Sequence, residues 1–116
     1  MPRAKNCKVL HVSYYPSLSK TREAMLQEQG HVVTSALGND NAKELADAGD
    51  FDVAVVGFSG RLQDRTEIVS WLKKRRPELP VIALQAHTER SPEADQLVPG
   101  HDPHAWLEAV RASCPS

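Results

Sequence analysis

Residues 51–60 read Phe51-Asp52-Val53-Ala54-Val55-Val56-Gly57-Phe58-Ser59-Gly60: four apolar residues in succession, then a loop that carries no charge until Arg61. A strand without polar alternation is one covered on both faces, as in a parallel sheet flanked by helices. In open sheets of that kind ligands and chemistry gather beyond the carboxyl ends of the strands. The residue delivered to that place here is Gly57, which has no side chain.

The same two rhythms recur on either side. Lys8-Val-Leu-His-Val-Ser13 and Val81-Ile-Ala-Leu84 are further apolar runs, and His31-Val-Val-Thr-Ser35 is a shorter one. Between them the spacing is helical. Leu18, Met25 and Leu26 share a stripe that Gly30 stops, and Ala42 to Asp47 form a small helix with Leu45 and Ala46 inward. Ile68, Val69, Trp71 and Leu72 mark a third helix, closed by Pro77. At the end Asp102 caps a helix with Pro103 in its first turn and Trp106, Leu107 and Val110 on its buried stripe. Regular alternation of strand and helix predicts a doubly wound α/β sheet. The rhythm falters only in 85–103, where the helix has room for a few residues around Ser91 to Asp95 and the strand for Gln96 to Val98.

With 116 residues the chain has the size of one domain, residues 1–116, with its core over 7–113. It is 41% apolar and 25% charged, with a net charge of −1, which argues against a broad electrostatic footprint for nucleic acid or an anionic membrane. No apolar run reaches the ~18 residues of a membrane span, and the basic start leads into a strand rather than a signal sequence, so a cytoplasmic location is expected. Cys7 and Cys114 belong to no C-x-x-C pair. They read as two unpaired thiols in a reducing compartment, although a last helix ending beside the first strand would bring them close enough to oxidise.

Four pieces in order, "VLHVSYYPSL", "FDVAVVGF", "RRPELPVIALQAH" and "HDPHAWLEAVR", resemble the receiver domains of bacterial two-component response regulators over nearly the whole chain. The resemblance implies a flavodoxin-like sheet of five parallel strands, order 2-1-3-4-5, here with a shortened fourth helix. It also implies where the chemistry should be. Receivers move a phosphoryl group onto an aspartate, which needs a carboxylate nucleophile, Mg²⁺ held by further carboxylates, and a lysine and a hydroxyl for the phosphoryl oxygens. By that resemblance the acceptor falls on Gly57, the acidic pair on Ser13 and Tyr14, the hydroxyl on Gln85, and the lysine finds only Gly100 nearby. No position retains its chemistry.

The expectation is therefore a pseudo-receiver: a phosphorylation-independent interaction module, not an enzyme, with no cofactor, no catalytic residue and no metal. Its partners would be a histidine kinase, an output domain, another receiver or a second copy of itself. Mg²⁺ should not stabilise it. Two alternatives stand beside this: phosphorylation at a non-standard residue such as Ser13 or Ser59, and a nucleotide or flavin held in the emptied pocket.

Other features read as structure. Lys73-Lys-Arg-Arg76 sits in the last turn of a helix, where cations complement the macrodipole. His101 and His104 straddle the Asp102 cap. In the hydroxyl-rich loop 13–21, which lacks the glycines of a phosphate cradle, Ser17 reads as a helix cap, and Tyr14 and Tyr15 as fillers of the space left by metal and acids. Arg61, Gln63, Asp64 and Arg65 read as solvated surface.

Overall fold

The computed structural model describes residues 7–85 and 94–115. The element order is β1 (Lys8–Ser13), α1 (Pro16–Glu28), β2 (Val32–Leu37), α2 (Asn39–Ala48), β3 (Val53–Val56), α3 (Leu62–Arg75), β4 (Val81–Gln85), β5 (Gln96–Pro99) and α4 (Pro103–Ser113). All five strands are parallel in the order β2-β1-β3-β4-β5. The expected sheet is therefore the one that forms.

Alternate residues of each central strand point to opposite faces and build two cores. Cys7, Val9, Val53, Val55, Ile82 and Leu84 pack under α1 and α4 with Leu26, Trp106 and Val110. Leu10, Val12, Ala54, Val56 and Val81 pack under α2 and α3 with Ala42, Ala46, Ile68 and Leu72. Every residue of β3 is buried, as its unbroken apolar run requires.

Local chemistry sets the ends of the helices. Gly30 takes φ +93 after α1, in the left-handed region open to glycine. Asp102 accepts the Ala105 N–H at 3.2 Å, capping α4. Lys73 and Arg76 of the basic run that ends α3 are spent on the fold. Lys73 Nζ donates to the carbonyls of Pro77 and Leu79 and pairs with Asp95 at 2.8 Å, while Arg76 Nη2 donates to the carbonyls of Ala46 and Gly49. Asp95 in turn accepts the Val81 N–H at 2.7 Å and so fixes the start of β4.

Several expectations are corrected. Cys7 and Cys114 are not free thiols but a disulfide, because the end of α4 lies beside the start of β1. Ser17 does not cap α1: Tyr15 occupies the cap position with no side-chain bond, and Pro16 opens the helix with its φ already set. The buried stripe of α1 is Ser19, Arg22 and Leu26, with Leu18 and Met25 only half-buried. Arg65 is 1% exposed rather than solvated, and its Nε donates to the Gly60 carbonyl. The helix expected around Ser91 to Asp95 falls largely outside the described residues, and its described end, Ala94 and Asp95, is not helical.

Candidate functional site

Parallel pairing brings the ends of β1, β3, β4 and β5 side by side, so Ser13, Gly57, Gln85 and Gly100 line the carboxyl edge of the sheet. Backbone bonds hold that edge together. The Gly57 N–H donates to the Val12 carbonyl at 2.8 Å, the Gly100 N–H to the Gln85 carbonyl at 3.0 Å, and the Gly38 N–H to the Ser13 carbonyl at 2.8 Å. Ser13 is 1% exposed and its hydroxyl donates to the Tyr15 carbonyl, which leaves it turned inward.

Three glycines at this edge, Gly57, Gly60 and Gly100, make room for a neighbour. A Cβ on Gly57 would lie 2.7 Å from Arg22 Nη1 and 3.3 Å from the Val12 carbonyl oxygen. A Cβ on Gly100 would run into the Phe58 ring, and one on Gly60 would lie 2.5 Å from the Tyr14 ring. Phe58 also carries the Arg22 guanidinium over its face at 5.1 Å. The Tyr14 ring lies over Gly60 and its hydroxyl donates to Asn39 Oδ1 at 2.8 Å, whereas Tyr15 is 54% exposed.

Arg22 is the residue that the sequence reading missed. It is 5% exposed, its Nη1 has no hydrogen-bond partner among the described residues, and burial lowers its pKa. His11 lies buried on the same face of the sheet. Burial, with a smaller push from the Arg22 charge, lowers its pKa to about 4. The tautomer of His11 follows from its neighbours. Ser35 gives its one hydroxyl proton to Glu23 at 2.8 Å, so the 3.3 Å contact between His11 Nδ1 and Ser35 Oγ needs the proton on Nδ1. His11 Nε2 is then a buried lone pair without a partner among the described residues. The spacing of Ser19, Arg22 and Leu26 at i, i+3 and i+7 was the available signal, but charged residues at such positions are seldom buried unpaired.

An acidic cleft adjoins Tyr14. Tyr14, Asn39, Asp40, Asp64 and Glu67 border a small cleft between α2 and α3. Glu67 accepts from Lys43 at 2.7 Å and from Asn39 at 2.6 Å, and these bonds hold its carboxyl below the usual range. Burial, and then the Asp64 charge, push the Tyr14 phenol upward, so it stays protonated. Among the described residues, the cluster of three or more metal-ligating side chains is Cys7, His31 and Cys114, and it lies at the opposite, amino edge of the sheet.

Comparison with solved structures gives this sheet and its flanking helices a name. TrrA of Thermotoga maritima, solved with Mg²⁺-BeF, superposes with a TM-score of 0.81 at 20% identity over 91% of this chain and 97% of that one. The fold is that of a response-regulator receiver domain. TrrA in complex with the histidine kinase ThkA matches with a TM-score of 0.78 at 19% identity over 91% and 97% of the two chains. The chemotaxis response regulator CheY4 of Vibrio cholerae matches with 0.75 at 23% identity over the same shares. No protein-family model matches the sequence, and no curated protein matches it either. The receiver likeness is thus carried by shape.

Proposed function

We propose that this chain is a pseudo-receiver, a non-enzymatic protein-interaction module of two-component signalling that works in the cytoplasm without being phosphorylated. The observation that carries the reading is the Arg22 guanidinium beside Gly57. In place of a carboxylate that attracts Mg²⁺ stands a fixed cation. A divalent ion about 5 Å from it would meet roughly 7 kcal/mol of repulsion at an effective dielectric of about 20, before screening. Neither the nucleophile nor the counter-ion of phosphoryl transfer has a seat.

The alternatives lose support at the same edge. Ser13 is buried with its hydroxyl engaged, which disfavours it as a substitute acceptor. The adjoining cleft is bordered by Asp40, Asp64 and Glu67, a poor lining for the phosphate of a nucleotide or flavin. A signalling protein is the natural partner class, as the TrrA–ThkA complex illustrates for its own fold. No helix of the described residues is long and apolar enough to cross a membrane.

The test is incubation with acetyl phosphate and Mg²⁺ followed by intact mass measurement of the wild-type chain and of Gly57→Asp. Neither should gain a phosphoryl group, since the new carboxylate would pair with Arg22 and still lack acidic partners at Ser13 and Tyr14. A phosphoryl adduct on the wild-type chain would overturn the reading.

A further inference from the structure

Cys7, His31 and Cys114 come from three separate places: the residue before β1, the residue before β2 and the residue after α4. Parallel strands and a returning helix bring all three to the amino edge of the sheet, where they are 7%, 4% and 5% exposed. His31 Nδ1 lies 4.0 Å from the sulfur of Cys7 and 4.0 Å from that of Cys114, and the three ligand atoms fall within 4.8 Å of one another. Nδ1 accepts the Cys7 N–H at 3.2 Å, so it is the ring nitrogen that carries the lone pair.

We infer that these three side chains form a thiolate–imidazole site for a zinc-class divalent ion in the reduced protein, and that the Cys7–Cys114 disulfide is the oxidised, metal-free form of the same site. The geometry is close to what such an ion needs. Tetrahedral zinc with Zn–S of about 2.3 Å and Zn–N of about 2.0–2.1 Å sets sulfur and nitrogen about 3.6 Å apart and the two sulfurs about 3.8 Å apart. Breaking the sulfur–sulfur bond lets the thiolates part, and each sulfur–nitrogen pair then closes by roughly 0.4 Å. The Cys7 N–H gives up Nδ1 as its acceptor when the ion arrives. Three protein ligands leave a fourth position for water.

Exchange between the two forms balances with glutathione disulfide as the oxidant. The two bound thiolates join in one sulfur–sulfur bond, their two electrons break the bond in glutathione disulfide to give two glutathione thiolates, and the ion leaves. In a reducing compartment the thiolate form prevails. The site is at the far edge of the sheet from Gly57 and does not depend on what happens there.

Co²⁺ added to the whole chain, once after anaerobic reduction and once with the disulfide intact, tests this. The reduced chain should take up one Co²⁺ and show a thiolate-to-cobalt charge-transfer band with the strong visible bands of a tetrahedral ion, and Zn²⁺ should bleach both. The oxidised chain should bind none. His31→Asn, folded by circular dichroism, should keep both titratable thiols and lose affinity by more than the roughly 10–100-fold that removal of an outer-shell partner costs. A folded, reduced chain with two titratable thiols that binds no Co²⁺ at micromolar concentration would overturn the proposal. So would binding without the charge-transfer band, or binding that Cys7→Ser/Cys114→Ser retains.

Discussion

At the carboxyl edge of the sheet, Gly57 and Gly100 leave space that Arg22 and Phe58 occupy; at the amino edge, Cys7, His31 and Cys114 meet around a disulfide. Receiver chemistry belongs to the first edge, which here holds a guanidinium beside Gly57 and an aromatic ring beside Gly100. The second edge has no role in that chemistry, yet it holds the cluster of soft, ligating side chains. The same scaffold therefore separates two tasks. Side chains at strand ends that face a loop-built pocket can vary without disturbing the sheet, because the backbone bonds that join the strands do not use them. Strand starts that meet a terminal helix are where covalent closure adds most, because the segments they join are far apart in sequence.

The largest expected effect tests the amino edge. The bridged residues are 107 apart, and chain-entropy reasoning gives a cross-link of that span up to about 4–5 kcal/mol. Reduction in the presence of a chelator should lower the urea midpoint accordingly, and coincident midpoints for oxidised and reduced chains would show that the bridge does not clamp the ends.

Next comes acid. The folded-state pKa of His11 is about 4, below its ordinary 6.5, so the unfolded chain takes up this proton first as pH falls. The stability is full above pH 6.5 and is lost progressively toward pH 4, by about 2–3 kcal/mol at pH 4.5. His31, lowered in the same direction by burial, adds to the trend. Urea melts of wild type and His11→Gln at pH 7.5 and 4.5 measure it: the variant should lose distinctly less on acidification. Equal losses would place the acid sensitivity elsewhere and weaken the picture of His11 and Arg22 as a buried pair of strained polar groups.

Arg22→Met addresses the contrast directly. Removing a buried charge whose Nη1 lacks a hydrogen-bond partner among the described residues, while keeping an unbranched side chain over Phe58, should raise stability by about 1 kcal/mol, net of the lost cation–π contact. Part of the depression of the His11 pKa should go with it, although burial, the larger cause, remains. Nuclear magnetic resonance titration of His11 reads that second effect, and an unchanged pKa would show that the two groups do not sense each other. The smallest expected effect is none: millimolar Mg²⁺ should leave the melting temperature of the oxidised chain where it is, whereas a clear rise would place a metal site at the carboxyl edge after all.

Much of this was legible in the residues. Val53 to Val56 and Val81 to Leu84 could only be strands covered on both faces, and the caps at Gly30 and Asp102 fixed where helices stop. The neutrality of Ser13, Tyr14, Gly57, Gln85 and Gly100 was visible without any structure. What filled the edge was not. Tyr15 and Arg65 were misjudged because neighbours in sequence do not say which way a side chain turns. Arg22 was missed because a charge on a helix reads as solvated until the glycine facing it is seen.

Strand, helix and loop identities follow from local periodicity, and that is why the sequence alone determined the alternation of strands and helices that builds the sheet. The approach of Arg22 to Gly57, 35 residues away in the chain, and the meeting of Cys7, His31 and Cys114 depend on how α1 and α4 lie across the sheet. Such contacts join segments that no local pattern relates, so only packing in three dimensions decided them.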